Sequence, residues 1–160
     1  MEVKDVHHYQ QGVDAVFKFF SDSDAITAKY EGIGARHIEI LESAESGGIH
    51  TTKTQREVPS DVPGILQKFL GAWNKAIQTE QWELQDGGVR TCEMDIEVAG
   101  VPVKVTGAMA LRPKGDGCVN EVQIKVTCGI PLIGGMLANF IGGDTKKNMD
   151  LEYDYISKHL

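Results

Sequence analysis

The chain has 160 residues, which is enough for one domain with a core of its own and too few for two. Its formal net charge of −7 and its lack of a basic run argue against nucleic acid and anionic membrane surfaces as partners. No window holds enough uninterrupted apolar residues to span a bilayer, and the first residues lack the apolar core of a signal peptide. We therefore expect a single domain over residues 1–160, located in the cytoplasm and without stable membrane insertion.

The first third of the chain predicts a strand followed by two short helices. The strand is expected from Val3 to Tyr9, and the first helix begins near Gly12. Its apolar face recurs at the helical period and consists of Val13, Val16, Phe17 and Phe20. Ser23 is a candidate N-cap for the second helix, which Gly32 and Gly34 end. Two helices joined this tightly form a V-shaped pair.

From Ala35 the apolar period changes to two, which is typical of strands. About six antiparallel strands are predicted, running near residues 35–41, 49–58, 73–85, 91–98, 101–112 and 121–128. A two-residue turn at Ala99-Gly100 would pair Ile96 with Val103, and the next hairpin would pair Met109 with Val122. The other faces of these strands are charged, so this part of the sheet is expected to be solvated on one side.

The last element is predicted to be one long helix after Pro131. Its apolar stripe recurs at steps of three or four and consists of Leu137, Ile141, Thr145, Met149, Tyr153, Ile156 and Leu160. Such a helix would be roughly 40 Å long, enough to cover the inner face of the sheet. The order of elements predicts an α+β fold, with about seven strands curved around the C-terminal helix.

Several short motifs accompany this order of elements: Val62-Pro63-Gly64, Gly71, Thr79-Glu80-Gln81-Trp82, the run VAGVPVKVTG from Val98 to Gly107, and IPLIGG from Ile130 to Gly135. With them the chain resembles the START-like (helix-grip) superfamily, also called SRPBCC. More narrowly, it is similar to an uncharacterised bacterial family of START-like domains of unknown function. The resemblance covers nearly the whole chain. It implies a cavity between the sheet and the terminal helix, which in relatives often holds an apolar ligand, and it implies no particular reaction.

Two features suggest such a cavity in this chain. Met94, Met109 and Met136 are predicted to face inward, and methionine suits surfaces that bind varied apolar shapes. Glycines thin the first half of the terminal helix, where larger side chains would fill the space. The predicted ligand-binding residues are Phe69, Trp82, Met94, Val105, Met109, Ile124, Met136, Leu137 and Phe140. The alternative is that the small residues allow close packing of helix on sheet and that the methionines fill gaps in the core.

Arg56 and Glu80 are the candidates for chemistry. If residues 86–88 form a three-residue turn, Glu80 opposes Met94 and points into the cavity. A carboxylate there must be paired or neutral, and Arg56 is its nearest plausible partner, with Arg90 as another. The pair would then be a polar anchor, with arginine for a ligand carboxylate or glutamate as a general acid or base. The alternative is an ion pair that only fixes the strand order.

No metal site and no cofactor are predicted. The histidines show no metal-ligand spacing, and the serines and cysteines lie in no nucleophile motif. Cys92, Cys118 and Cys128 include no close pair and are typical of buried thiols in a reducing compartment.

Three hypotheses remain open. The first is a non-catalytic carrier or sensor of a small apolar or amphipathic molecule. The second is a small enzyme of the cyclase or dehydratase type that uses Glu80 with Arg56. The third is an interaction module with a filled core, for which a homodimer is one form.

Overall fold

The structure is a computed structural model that describes all residues from Met1 to Leu160. The strands are β1 (Glu2–Tyr9), β2 (Arg36–Ser46), β3 (Ile49–Pro59), β4 (Trp73–Leu84), β5 (Arg90–Val98), β6 (Lys104–Lys114) and β7 (Gly117–Thr127). The helices are α1 (Val13–Ser21), α2 (Ser23–Gly32) and α3 (Gly134–His159), and short 3-10 turns lie at Gly64–Leu66 and Asp86–Gly88. The predicted order of strand, two short helices, six strands and one long helix is confirmed.

All seven strands belong to one antiparallel sheet, in the order β1-β7-β6-β5-β4-β3-β2. The sheet is therefore continuous from β2 to β7, with each strand beside its neighbour in sequence, and β1 closes the far edge by pairing with β7. The inner face carries the apolar set, and α1 and α3 lie on it. This is the α+β architecture that the sequence predicts, with a curved sheet around the terminal helix.

The strand register confirms one predicted hairpin and corrects the other. Met109 lies opposite Val122, as predicted. Ile96, however, lies opposite Val105 rather than Val103, so the predicted two-residue turn at Ala99-Gly100 is wrong. Residues 99–103 form a wider loop, because Pro102 has no N–H to donate to a ladder. The shift is two residues, so the same faces of β5 and β6 still point inward.

Asp22, and not the predicted Ser23, caps α2. Its carboxylate accepts a hydrogen bond from the backbone N–H of Ala25 at 2.9 Å. Asp22 has extended backbone angles, as an N-cap residue requires, whereas Ser23 is already the first helical residue. One residue therefore both ends α1 and starts α2, and this sets the sharp angle of the V-shaped pair.

The long helix α3 packs on the sheet through the predicted stripe. Leu137, Ile141, Met149 and Ile156 are buried in one core cluster with the inner faces of β5, β6 and β7. None of the three helices is long and apolar enough to cross a membrane.

Two glycines in the first half of α3 allow close packing instead of leaving space for a ligand. A Cβ atom at Gly142 would overlap the side chain of Met1, and one at Gly134 would lie 2.7 Å from the carbonyl oxygen of Cys128. The other two, Gly135 and Gly143, are exposed, and a Cβ there would meet nothing within 4 Å. On the sheet, a Cβ at Gly107 would lie 2.7 Å from the Met94 side chain, so Met94 already fills that space. The idea that the glycines of α3 make room for a ligand is therefore wrong for Gly134 and Gly142.

The segment between β3 and β4 covers one end of the core. Leu66 and Leu70 are buried, while Ile65 is exposed. Ser60 donates a hydrogen bond through Oγ to Asp144 Oδ2 of α3 at 2.5 Å, which ties the start of this segment to the helix.

Candidate functional site

A cavity of about 140 Å³ lies between the inner face of the sheet and α3. Every strand except β2 contributes to its lining, as do α1 and α3. On α3 the lining begins at Ile141 and ends at Ile156, so the cavity faces the middle and second half of the helix. A cavity needs only about 10–15 Å³ to hold one water molecule, and about 150 Å³ has been sufficient to hold a molecule of the size of benzene.

One wall of this cavity is polar. We call Arg56 of β3 with Gln78 and Glu80 of β4 the polar wall; all three are buried and all three line the cavity. They face inward because alternate residues of a strand share one face, and Trp82 follows on the same face. Glu80 lies opposite Met94, as expected for an inward-facing Glu80.

A chain of hydrogen bonds connects the polar wall. Arg56 donates through Nη2 to Gln78 Oε1 at 3.0 Å, and Gln78 donates through Nε2 to Glu80 Oε2 at 2.7 Å. Trp82 donates through its indole N–H to Glu80 Oε1 at 2.9 Å. Arg56 and Glu80 are thus joined through Gln78, and the predicted direct ion pair between them is not formed.

A buried lysine lies behind the polar wall. Lys29 of α2 is 1% exposed, and its Nζ is 3.3 Å from Glu152 Oε2 of α3. The same Nζ lies 4.4 Å from the ring centroid of Phe20 and 4.9 Å from that of Tyr30. Lys29 therefore has both a carboxylate partner and two aromatic faces, which is how a buried ammonium group is tolerated.

The charges of this group follow from burial and from these partners. Burial raises the pKa of Glu80 above its ordinary value, although Lys29 and the hydrogen bonds from Trp82 and Gln78 act in the opposite direction. Burial alone would lower the pKa of Lys29, but Glu152 and its other neighbours more than offset it, and the pKa lies above its ordinary value. Lys29 is therefore charged at neutral pH, and burial disfavours the charged form of Glu80.

The lining from β5, β6 and β7 is mostly apolar and includes Met94, Met109 and Ile124. The one polar lining residue of β7 is Asn120, whose Oδ1 is buried and has no hydrogen-bond partner. The lining from α3 is mixed, because Met149 and Ile156 lie among polar side chains that include Asp144 and Glu152. The cavity is therefore amphipathic, with polar groups on β3, β4 and α3 and an apolar surface on β5, β6 and β7.

The predicted site residues divide into two groups. Both candidates for chemistry, Arg56 and Glu80, line the cavity, and so do three of the predicted ligand-binding residues, Met94, Met109 and Ile124. The remaining predicted residues, which do not line it, are Phe69, Trp82, Val105, Met136, Leu137 and Phe140. Met136 was expected to face inward, but its side chain is 47% exposed, because the first turn of α3 extends past the cavity. A role in ligand binding stays a prediction for each of these residues.

Among the lining or supporting residues that were not predicted are four polar ones, Gln78, Lys29, Glu152 and Asn120. Gln78 could have been found, because it shares the strand face of Glu80 and Trp82. The Lys29–Glu152 pair joins segments far apart in sequence, and no local pattern indicates it.

Three side chains of the types that bind metals lie together beside the cavity, but the ammonium group of a lysine already contacts them. Ligand atoms of Asp5, His7 and Asp150 lie within 4.8 Å of one another. Lys146 Nζ is 3.0 Å from Asp5 Oδ2 and also contacts Asp150, so an ammonium group supplies the positive charge there.

Comparison with solved structures identifies the class of fold. The chain is similar to a START superfamily protein from Mycobacterium smegmatis (TM-score 0.63, 11% identity, 99% of each chain covered). It is also similar to a STAR-related lipid transfer protein fragment from Xanthomonas axonopodis (TM-score 0.65, 14% identity, 97% of this chain and 85% of that one). A third structure, TTHA0849 from Thermus thermophilus, has a TM-score of 0.65 at 14% identity, with 99% of this chain and 95% of that one covered. These likenesses establish a START-like, helix-grip fold.

A match to a protein-family model identifies the family of this chain. Residues 5–160 match the family described as Protein of unknown function (DUF2505), and the chain belongs to that family. No curated protein matches the chain.

Proposed function

We propose that this protein binds a small amphipathic molecule in the cavity between α3 and the inner face of the sheet, as a carrier or sensor. The observation that carries the proposal is the amphipathic lining: buried Arg56, Gln78 and Glu80 on β3 and β4, and methionine and branched aliphatic side chains on β5, β6 and β7. Binding pockets typically combine an apolar surface with a few convergent polar groups. The lipid-transfer name of the Xanthomonas relative supports the same class of function.

The volume of the cavity limits the size of the ligand. About 140 Å³ is close to the space that holds a benzene-sized molecule and far below that of a two-chain lipid. We therefore propose a ligand of roughly ten non-hydrogen atoms inside the cavity rather than a phospholipid.

The test is a cavity-filling variant measured against a matched surface variant. Ala76 lines the cavity, so Ala76→Met places three additional heavy atoms in it, whereas Ala108 lies on the solvent side of β6. Native mass spectrometry of the delipidated protein, with a panel of short fatty acids, alcohols and aromatic acids, should detect a one-to-one complex with the wild type and with Ala108→Met. Ala76→Met should lose about tenfold or more in affinity, since overfilled space excludes the ligand. The absence of a complex with any member of the panel would count against the proposal.

An enzyme of the cyclase or dehydratase type is the second candidate. Glu80 favours it, because its raised pKa and its position in the cavity are those of a general acid or base. Against it, both carboxylate oxygens already accept hydrogen bonds from Trp82 and Gln78. Glu80→Gln would abolish turnover while retaining binding if this candidate is right.

The interaction module is the least supported of the three hypotheses, because it requires a filled core where the cavity lies. The single-domain organisation and the possible homodimer stay predictions, and light scattering tests the latter. We also propose a reducing, cytoplasmic environment, which is supported by three cysteines that are all free thiols.

A further inference from the structure

The guanidinium group of Arg56 is buried and forms one hydrogen bond with the protein, from Nη2 to Gln78. Arg56 is 7% exposed and lines the cavity, and its Nη1 is buried without an acceptor. The face of the group is stacked on Tyr30, with 4.0 Å between Cζ and the ring centroid. Stacking uses the face of the guanidinium, whereas its N–H groups lie in its plane and still need acceptors. A buried charged donor without an acceptor is costly, which indicates that an acceptor is supplied from elsewhere.

No protein carboxylate neutralises Arg56. The two buried cations differ in this respect, because Lys29 has Glu152 at 3.3 Å while Arg56 has only the neutral Gln78 at Nη2. Glu80 is one residue further along the hydrogen-bond chain, and burial favours its neutral form. The positive charge of Arg56 is therefore the one in this cluster that lacks a direct partner.

The guanidinium group of Arg56 is suited to a carboxylate. Of its nitrogens only Nη2 forms a hydrogen bond with the protein, and no other arginine or lysine lines the cavity. A phosphate monoester carries nearly two charges and three strong acceptor oxygens, and it would need more donors than this site offers. A carboxylate carries one charge and forms short, strong hydrogen bonds with arginine.

We infer that the ligand is a small monocarboxylic acid whose carboxylate accepts a hydrogen bond from the guanidinium group of Arg56 and whose apolar body lies against Met94, Met109 and Ile124. This inference rests on the proposed function, because it assigns the head group of the molecule that the cavity binds. It limits the class to short- or medium-chain and aromatic acids, since the volume excludes larger bodies.

The experiment compares three probes that share one chain and differ in head group. Delipidated full-length protein is titrated calorimetrically at neutral pH with octanoate, octan-1-ol and octyl phosphate. We expect octanoate to bind at least about tenfold more tightly than octan-1-ol, which is the range of a hydrogen bond to a charged group. We expect octyl phosphate to bind more weakly than octanoate.

Two variants assign the preference to a residue. Arg56→Gln should lose about tenfold or more in affinity for octanoate and keep its affinity for octan-1-ol. Arg112→Gln is the matched control, because Arg112 is exposed and is paired with Glu121 at 3.0 Å; it should bind both probes as the wild type does. If Arg56→Gln does not fold, the ranking of the three probes on the wild type still decides the question.

The outcomes separate this inference from the proposed function. Equal affinities for octanoate and octan-1-ol would overturn the carboxylate assignment and leave ligand binding intact. Tighter binding of octyl phosphate, or an equal loss of both probes in Arg56→Gln, would overturn it as well. Failure of all three probes to bind the wild type would overturn both proposals.

Discussion

At the scale of single residues, Glu80 is where burial and hydrogen bonding oppose each other most directly. Burial favours the neutral acid, whereas the indole of Trp82 and the amide of Gln78 each donate to a different carboxylate oxygen and favour the ionised form. Burial is the larger effect, so the pKa of Glu80 in the folded protein is above its ordinary value of 4.5. A raised pKa in the folded state has a consequence for stability that can be measured.

We predict that ionisation of Glu80 destabilises the fold as the pH rises. Well below pH 4.5 the side chain is protonated in both folded and unfolded states and adds no pH dependence. Above that value the unfolded chain releases the proton first, so the free energy of unfolding falls until the pH passes the raised pKa. Each unit by which the pKa is raised corresponds to about 1.4 kcal/mol. Urea unfolding between about pH 4 and about pH 8 should show this decline in the wild type and not in Glu80→Gln.

The control for this prediction is a carboxylate on the same sheet that faces solvent. Glu93 of β5 is exposed, and Glu93→Gln should retain the decline of the wild type. A constant difference in unfolding free energy between the wild type and Glu80→Gln across the pH range would show that Glu80 titrates normally.

At the scale of secondary structure, the glycines of α3 have two different roles. Gly134 touches the backbone that follows β7 through the carbonyl of Cys128, whereas Gly143 is exposed and a Cβ there would meet nothing within 4 Å. Glycine inside a helix is less favourable than alanine by roughly 1 kcal/mol. An alanine at Gly134 would gain helix propensity but clash with the backbone, whereas an alanine at Gly143 would gain helix propensity without a clash.

We predict that Gly143→Ala raises the free energy of unfolding by about 0.5–1 kcal/mol, because it gains helix propensity without a clash. Gly134→Ala should lower it by about 1 kcal/mol or more, because its Cβ would lie 2.7 Å from a backbone oxygen that cannot move aside easily. Urea denaturation of the two variants against the wild type measures both values. Equal stabilisation by both substitutions would contradict the close contact between α3 and the end of β7.

The strands and their register could largely be predicted from the sequence. Alternation and turn residues were sufficient for the sheet, and the Pro113–Gly117 turn was sufficient for the register between β6 and β7. They failed at residues 99–103, because a proline there lengthens the loop without changing which face is apolar.

The site was less predictable than the sheet, for a physical reason. Strand parity correctly placed Glu80 on the inner face, but the partners of a buried polar group come from distant segments. Lys29 and Glu152 are 123 residues apart, and no periodicity relates them. The side chain of Met1 packs against Gly142 of α3, and no local pattern in the sequence indicates this contact either. The sequence therefore suggested the first half of the helix, and the cavity lies further along it.

At the scale of the whole molecule, the cavity is the place where α3 and the sheet meet without filling the space between them. Its lining includes residues of every strand except β2, together with residues of α1 and α3. A ligand in the cavity would contact both the sheet and α3. Its binding energy would then add to the contacts that hold α3 on the sheet, and it would stabilise the molecule as a unit.

We predict that octanoate at about one hundred times its dissociation constant raises the midpoint of thermal unfolding by about 5–10 °C. Ligand at that excess adds about 2.7 kcal/mol to the folded state, and 1 kcal/mol corresponds to about 2–4 °C for a chain of this size. Hydrogen exchange measured with the same ligand should show slower exchange in both the second half of α3 and the β3–β4 hairpin, because the ligand would join these elements. Binding at an external surface would instead protect residues on one side only, and Ala76→Met, in which the cavity is filled, would then show the same shift as the wild type.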